Sequence, residues 1–346
     1  MVNNMSGGLP YAGGCPSVSG VIRATAEDFQ VDEDLGFEPA GKGEHILLQI
    51  RKRNTNTEWL ARELSRLAGV KAMDVGYAGL KDRAAVTSQW FSVNLAGKPE
   101  PDWTQLASDD IQFLTIARHD RKLRRGALTA NRFKLVVRNL KGDVPDIKPY
   151  IEQRLMRIAA EGVPNYFGEQ RFGHANLERA TAMFTGQARV KDRHQRGLYL
   201  SAVRSELFNR VLARRVAADN WNSAIAGDVM MLDGTHSIFA IEAVDEEIQQ
   251  RVRQQDIHPT GPMWGRGELR TRLDAKEIEE STLKDYDAWR AGLEEAGLEQ
   301  QRRALRLKVE DMRWEFTPEG DLQLQFRLPP GSYATVVLRE VIASGF

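Results

Sequence analysis

The run Gly76-Tyr77-Ala78-Gly79-Leu80-Lys81-Asp82-Arg83-Ala84-Ala85-Val86-Thr87-Ser88-Gln89-Trp90 sets a single carboxylate between two cations. Neighbouring positive charge favours the ionised form of an acid. An ionised Asp is one of the side chains able to act as a covalent nucleophile. Residues 75–80 and 90–95 read as strands on either side, so Asp82 is expected at or near a strand end, held by scaffold yet able to reach solvent. On residue types alone, the Lys-Asp-Arg run also reads as a surface salt-bridge cluster.

The elements that must hold this loop follow from hydrophobic periodicity. Residues 21–50 alternate short apolar pieces with Gly and Pro and read as strands, 45–50 being the clearest. Thr55 and Glu58 have the spacing of a capping box. Leu60, Leu64 and Leu67 then share a helical face, which Gly69 ends. Residues 132–140 alternate with period two: Phe133, Leu135 and Val137 on one face, Arg132, Lys134, Val136 and Arg138 on the other. The second face reads either as a phosphate surface or as an ordinary half-exposed strand.

Beyond residues 142–145 the texture changes. Ile151, Leu155 and Ile158 mark a helix, and residues 165–173 read as a loop rich in aromatics and Gly. Leu200, Val203, Leu207 and Val211 mark a longer helix. Residues 258–267 are dense in turn formers and lack the ending of a phosphate-binding loop. An acidic helical stretch runs to about Arg302. Strands are expected again at 305–309, 312–316 and 322–328, with a last helix from about Tyr333. Strands at both ends and helices between predict an insertion: residues 157–303 interrupting a domain made from 1–156 and 304–346.

A chain of 346 residues has room for two domains, and 42% hydrophobic with 28% charged residues marks a folded globular protein, not a disordered one. No apolar run reaches the roughly 18–20 residues that cross a bilayer. The N-terminal stretch lacks a basic start followed by an apolar block, so it does not read as a signal peptide. It is expected to pack loosely as far as Val18, and a cytoplasmic location is expected. Cys15 is the single cysteine, which excludes an intrachain disulfide and a thiolate zinc cluster. The six histidines form no HxxxH or HxH pair, so no metal site is expected. A net charge of zero argues against a nucleic-acid binder, but its distribution argues the other way. Residues 118–138 hold eight cations and one acid, and residues 171–215 hold ten cations and three acids. Residues 275–300 hold eight acids and three cations. A surface polarised in this way suits a polyanion.

The Gly76 to Gln89 run resembles the catalytic motif of the TruD family of tRNA pseudouridine synthases, whose nucleophile is the Asp of a Gly-Leu-Lys-Asp-Arg run. Six further pieces match that family in order: Ala26-Glu27-Asp28-Phe29-Gln30-Val31, Gly41-Lys42-Gly43-Glu44-His45, Ala130-Asn131-Arg132-Phe133, Asn165-Tyr166-Phe167-Gly168-Glu169-Gln170-Arg171-Phe172-Gly173, Pro259-Thr260-Gly261-Pro262-Met263-Trp264-Gly265, and Leu328-Pro329-Pro330-Gly331-Ser332-Tyr333-Ala334-Thr335. The resemblance implies an α+β pseudouridine synthase fold: a mixed, mainly antiparallel sheet flanked by helices and interrupted by an α/β TRUD insertion domain. It implies conversion of uridine 13 of tRNA to pseudouridine, with tRNA as partner and without metal or organic cofactor; no protein partner is inferred. Carried over, Asp82 is the nucleophile, Phe29, Asn131 and Tyr333 contact the target nucleotide, and Phe133 stacks on the uracil. Arg23 stands where the family often has a Lys that pairs with the nucleophile; Arg keeps the charge and adds a rigid fork. Tyr333 stands where the family often has Phe, and a buried hydroxyl would need a partner. Lys81 is a candidate for orienting Asp82 or binding phosphate.

These residue types suit the chemistry. A C–N glycosidic bond must break and the same base be reattached through carbon, so the base has to leave the stack. Aromatic rings replace lost stacking at roughly 1–3 kcal/mol per base, and an Asn offers donor and acceptor to a uracil edge. Two other classes fit the residues. A glycosidic-bond hydrolase would need a second carboxylate, with Glu27 and Asp28 the nearest. A non-catalytic RNA-binding protein would rest on the basic segments, with Asp82 structural.

Overall fold

Residues 8–343 are described, in a computed structural model of the chain. They form two compact units. One comprises Val18–Lys148 and Val309–Ser332; the other comprises the described residues of Met1–Ser17, Pro149–Lys308 and Tyr333–Phe346. The first seven residues of the N-terminal stretch lie outside the described residues.

The first unit is built on one nine-stranded sheet. Its strands are β1 (Val18–Ile22), β2 (Phe29–Asp34), β3 (His45–Arg53), β4 (Val75–Tyr77), β5 (Val86–Asn94), β6 (Ile111–His119), β7 (Ala130–Gly142) and the later strands Glu310–Phe316 and Leu322–Leu328. The order runs Glu310–Phe316, Leu322–Leu328, β7, β2, β5, β3, β6, with β1 also on β7 and β4 also on β5. Only the β2–β5 pairing is parallel, so the sheet is mixed and mainly antiparallel, as the resemblance implies. Helix α1 (Thr57–Leu67) lays Leu60 and Leu64 on Ile46, Leu48, Ile50, Phe91 and Val93. The opposite face holds Leu47 and Trp90 with Leu35, Leu123 and Leu128. Strand β5 is therefore covered on both sides and buried from Val86 through Val93, which erases the alternation of a half-exposed strand.

Two expectations shift here. Asn56, not Thr55, caps α1: its side chain accepts from the amides of Glu58 (2.8 Å) and Trp59 (3.1 Å). Thr55 turns its hydroxyl back to the Arg53 carbonyl instead. The outward face of β7 is basic but largely neutralised. Arg132 pairs with Asp34 at 3.2 Å, and Arg138 with Asp28 at 2.7 Å and Asp321 at 2.8 Å. Asp34 of β2 takes Arg132, and Asp28, just before β2, takes Arg138 together with Asp321, so of the two readings the ordinary half-exposed strand fits its arginines better, while Lys134 is exposed. Strand β6 was not anticipated, since apolar residues such as Leu114 and Ile116 alternate with polar ones yet remain exposed.

The second unit mixes seven helices with a small sheet. The long helix Arg193–Ala217 buries Val203, Leu207 and Val211, as their spacing predicts. The strands Ile238–Ala240, Val229–Leu232, Ile257–Met263 and Gln301–Ala304 pair in that order, all antiparallel. The turn-dense reading of 258–267 is thus corrected: most of it is a buried strand. Pro259 is tolerated because the ladder is rerouted. Pro259 accepts from the amide of Leu305, and the Leu305 carbonyl, which Pro259 cannot serve, accepts from Asn165. The segment 165–173 is scaffold here. The backbone amide and carbonyl of Phe167 bond the Asn209 side chain, both at 2.9 Å, and Arg303 lies 4.2 Å over the Phe167 ring.

The N-terminal stretch is not loose where it is described. Arg154 donates to the carbonyls of Gly13 and Gly14, Arg339 to those of Leu9 and Pro10, and Glu340 accepts from Ala12 and Gly13. By contact, most of helix Ile147–Glu161 and all of Ala334–Val341 group with this unit, so compactness divides the chain elsewhere than at 156/157 and 303/304.

Candidate active site

Within the first unit, β4 ends at Tyr77, and the segment to β5 carries Asp82. Gly76 starts the run because nothing larger fits: a Cβ there would lie 2.5 Å from the Leu123 carbonyl oxygen and 2.6 Å from Ser92 Oγ. Gly126 donates to the Ala78 carbonyl at 3.0 Å, tying the β6–β7 loop to this one. The buried Gln89 of β5 then takes hold twice. Its amide donates to the Gly79 carbonyl at 2.6 Å, and its oxygen accepts from Thr57 Oγ1 at 2.9 Å. The Thr57 hydroxyl in turn accepts from the Lys81 amide at 3.2 Å. The Lys81 side chain runs inward to Glu33 of β2, Nζ to Oε1 at 2.6 Å, while Glu33 Oε2 accepts from the Trp90 amide at 2.8 Å.

Burial pushes Glu33 up from the ordinary carboxylate range, against the opposing pull of Lys81, the Trp90 N–H and Lys52. Lys52, buried beside them with Nζ 2.8 Å from the Thr55 carbonyl, is pushed down to about 8. Burial is the main cause; the charge of Lys81 adds to it, and Glu33 and Asp82 oppose it.

Asp82 points the other way, into solvent, and one of its oxygens, Oδ2, meets Arg23 at 2.5 Å. Arg23 follows β1 with φ of 57°, a left-handed conformation that costs a non-glycine residue roughly 1–2 kcal/mol. Such strain is characteristic of functional positions. Its guanidinium lies 4.1 Å over the Phe29 ring. Phe29 meets Phe133 edge-on at 6.4 Å, and Phe133 stacks on Phe326 at 5.4 Å. Asn131 shares the inward face of β7 with Phe133, and its Oδ1 is buried without a hydrogen-bond partner, a condition that asks for an explanation. Among the described residues, no cluster of three or more His, Cys, Asp or Glu is placed to hold a metal ion.

The family profile described as tRNA pseudouridine synthase D (TruD) matches residues 6–191 and 175–341, which together span nearly the whole chain. The chain belongs to the TruD family. It is 52% identical to the tRNA pseudouridine synthase D of Nitrosococcus oceani over 338 residues, 96% of this chain and 93% of that protein. It is 51% identical to that of Methylococcus capsulatus, over 96% of this chain and 94% of the relative. The crystal structure of a protein assigned to TruD from Methanosarcina mazei superposes with a TM-score of 0.73 at 21% identity, covering 96% of this chain and 95% of the other. The fold is thus that of a TruD protein.

Of the residues carried over from the family, Arg23, Asp82, Phe29 and Phe133 form one contiguous chain of contacts, and Asn131 lies on the same sheet face. Lys81 does not join them: its ammonium faces Glu33, away from Asp82 and from solvent. Tyr333 precedes helix Ala334–Val341 in the other unit and is half-buried. Sequence reasoning missed Glu33, Lys52, Thr57 and Gln89. The one signal available was polar residues at positions where the strand pattern demands apolar ones: Glu33 falls in phase with Phe29 and Val31.

Proposed function

We propose that this chain isomerises uridine to pseudouridine in tRNA, at position 13, with Asp82 as the nucleophile. The observation that carries the reading is the Asp82 carboxylate itself. It faces solvent on a loop tied down from beneath and bonds through one oxygen to Arg23, whose guanidinium lies over Phe29, the edge-on partner of Phe133. Arg23 favours the anion and orients it. Flipped from the stack, the target base would lie against this aromatic surface. The unpartnered Asn131 Oδ1 would then accept from the uracil N3–H. Asp82 attacks the sugar or the uracil ring, the N1–C1′ glycosidic bond breaks and the base turns; the C5–C1′ bond then forms, the bond to Asp82 breaks, C5 loses its proton and N1 gains one. Phe133, two residues on from Asn131, would hold the uracil during that turn, and Tyr333 is assigned a further contact to the target nucleotide. The family's division into a catalytic domain of 1–156 and 304–346 and an insertion domain of 157–303 belongs to the same proposal.

The exposed cations suit a polyanion partner. Arg83 follows Asp82, and Arg124 and Arg125 are exposed on the β6–β7 loop that Gly126 ties to Ala78. In the second unit Arg189, Lys191, Arg193 and Arg196 are exposed, whereas Arg204 and Arg215 of the same basic segment bond internally. We assign the exposed groups to tRNA phosphates; binding should then fall steeply with salt, and a flat response would remove that assignment.

A glycosidic-bond hydrolase is disfavoured because neither nearby acid is poised to carry a proton. Glu27 is held below the usual range by its own backbone N–H and by Arg53. In Asp28, burial pushes upward but the bonds from Arg138 and Thr25 more than offset it. Tritium release from tRNA carrying 5-³H-uridine, with wild type beside Asp82→Asn, tests the reading. Release by wild type alone supports it. Release by both sinks the nucleophile, and release of free uracil would point to hydrolysis.

A further inference from the structure

Asp82 reaches solvent although its neighbour Lys81 is among the most enclosed cations of the first unit, with a side chain 9% exposed against a Glu33 side chain that is 0% exposed. The next side chain along, Asp82, is 42% exposed, so holding Lys81 inward limits the directions that its neighbour can take. The loop has few other restraints. Gly79 and the Lys81 amide are tied to Gln89, the second through Thr57. The next backbone bonds are a local one, from the Ala85 amide to the Arg83 carbonyl at 2.9 Å, and the Ala85 carbonyl, which accepts from Asn54 at 3.1 Å. Between these points Asp82, Arg83 and Ala84 are exposed and belong to no regular element. An ion pair buried this deeply is a poor source of stability, because desolvation of both ions offsets their attraction. Its value lies in fixing one geometry, with the Lys81 ammonium held at 2.6 Å from Glu33 Oε1.

We propose that Glu33 and Lys81 are positioning residues: their buried ion pair turns Asp82 towards its substrate, and Lys81 itself contacts no RNA. This rests on Asp82 being the nucleophile. Glu33 meets Lys81 through Oε1 and the Trp90 amide through Oε2, so its link to the loop runs through Lys81. The two residues should therefore behave as one unit.

The test uses the full chain and tRNA carrying 5-³H-uridine, with kcat and KM measured separately for Lys81→Met, Glu33→Gln, the double variant and Asp82→Asn. For Lys81→Met we expect kcat to fall roughly a hundredfold, the scale of a displaced reacting group, with KM within about twofold. Glu33→Gln keeps an acceptor for the Trp90 amide and a weaker one for Lys81, so its loss should be smaller, roughly tenfold. The double variant should be no worse than Lys81→Met alone. A raised KM with unchanged kcat in Lys81→Met would make Lys81 a substrate ligand and overturn the proposal. Unchanged kcat per folded molecule in both single variants would make the pair merely structural and overturn it too. If Lys81→Met does not fold, the volume-conserving Glu33→Gln decides by the same criteria. Activity surviving in Asp82→Asn would instead defeat the nucleophile reading, an outcome separable from the others.

Discussion

Two Arg–Asp pairs in this molecule look alike in sequence and differ in everything that matters for chemistry. Arg215 and Asp228 of the second unit have side chains 3% and 1% exposed. Both Asp228 oxygens accept from Arg215, at 2.9 and 3.1 Å, and Oδ2 also takes the Ile225 amide. Arg215 gives its remaining donors to the carbonyls of Asn220 and Ser223. Arg23 and Asp82 have side chains 23% and 42% exposed, and they meet through one nitrogen and one oxygen. The buried pair is enclosed, with hydrogen bonds on both carboxylate oxygens. The exposed pair leaves a carboxylate oxygen facing solvent on a restrained loop. On the proposed function, burial and hydrogen bonding of both oxygens separate the structural carboxylate of Asp228 from the reactive role assigned to Asp82.

Several substitutions would break or sharpen that contrast. The largest effect is expected at Asp82→Asn: tritium release should fall at least roughly a thousandfold, while tRNA binding and the thermal midpoint stay near wild type. A matching loss of tRNA affinity would argue for a binding role. Asp228→Ala should do the reverse. Leaving Arg215 buried and uncompensated costs about 3–5 kcal/mol, measurable by urea unfolding, while folded molecules keep normal kcat. Arg23 lies between these extremes. Arg23→Ala should lower kcat by roughly tenfold to a hundredfold, the scale of losing one charged partner to a reacting group, and Arg23→Lys should recover most of it. Equal losses in both would assign the guanidinium fork, not the charge.

The smallest effect is expected at Asp233, which His258 Nε2 meets at 2.9 Å and Lys308 at 2.6 Å with intermediate exposure. Burial pushes its carboxyl up, but His258 and Lys308 more than offset this and hold it at about 2. A depressed acid stabilises the fold above its unfolded pKa of roughly 3.9, and that stability is lost as pH falls towards the folded value. With its solvent exposure the contribution is roughly 1 kcal/mol. Urea midpoints of wild type and Asp233→Asn should differ by that amount near pH 6 and converge as pH drops below about 4. A constant gap would mean that the pair contributes through packing.

Legibility followed the kind of signal each element carries. Strand Leu322–Leu328 matches the expected range because alternation along a half-buried strand is local information. The face assignment of Phe133, Leu135 and Val137 survives for the same reason. Pro259 and Pro262 make strand Ile257–Met263 look like turns in sequence, and the bond from the Asn165 amide to the Leu305 carbonyl, which accommodates Pro259, is tertiary information. The positive charge of 171–215 was overread, since sequence cannot tell the exposed Arg193 from Arg204, which donates to the Met263 carbonyl.

The motif around Asp82, the aromatic and amide partners at 29, 131 and 133, and the family they point to were all carried by the linear order of residues. Local spacing and side-chain type are enough to encode them. Which carboxylate faces solvent and which cation is buried was decided only by the fold. Lys81 and Arg83 flank Asp82 symmetrically in the chain, yet Lys81 meets Glu33, a residue 48 positions away in sequence (81 less 33), and Arg83 is exposed. That asymmetry comes from the parallel pairing of β2 with β5, which sets a buried acid beneath the loop. No sequence window short enough to show a periodic pattern contains both partners.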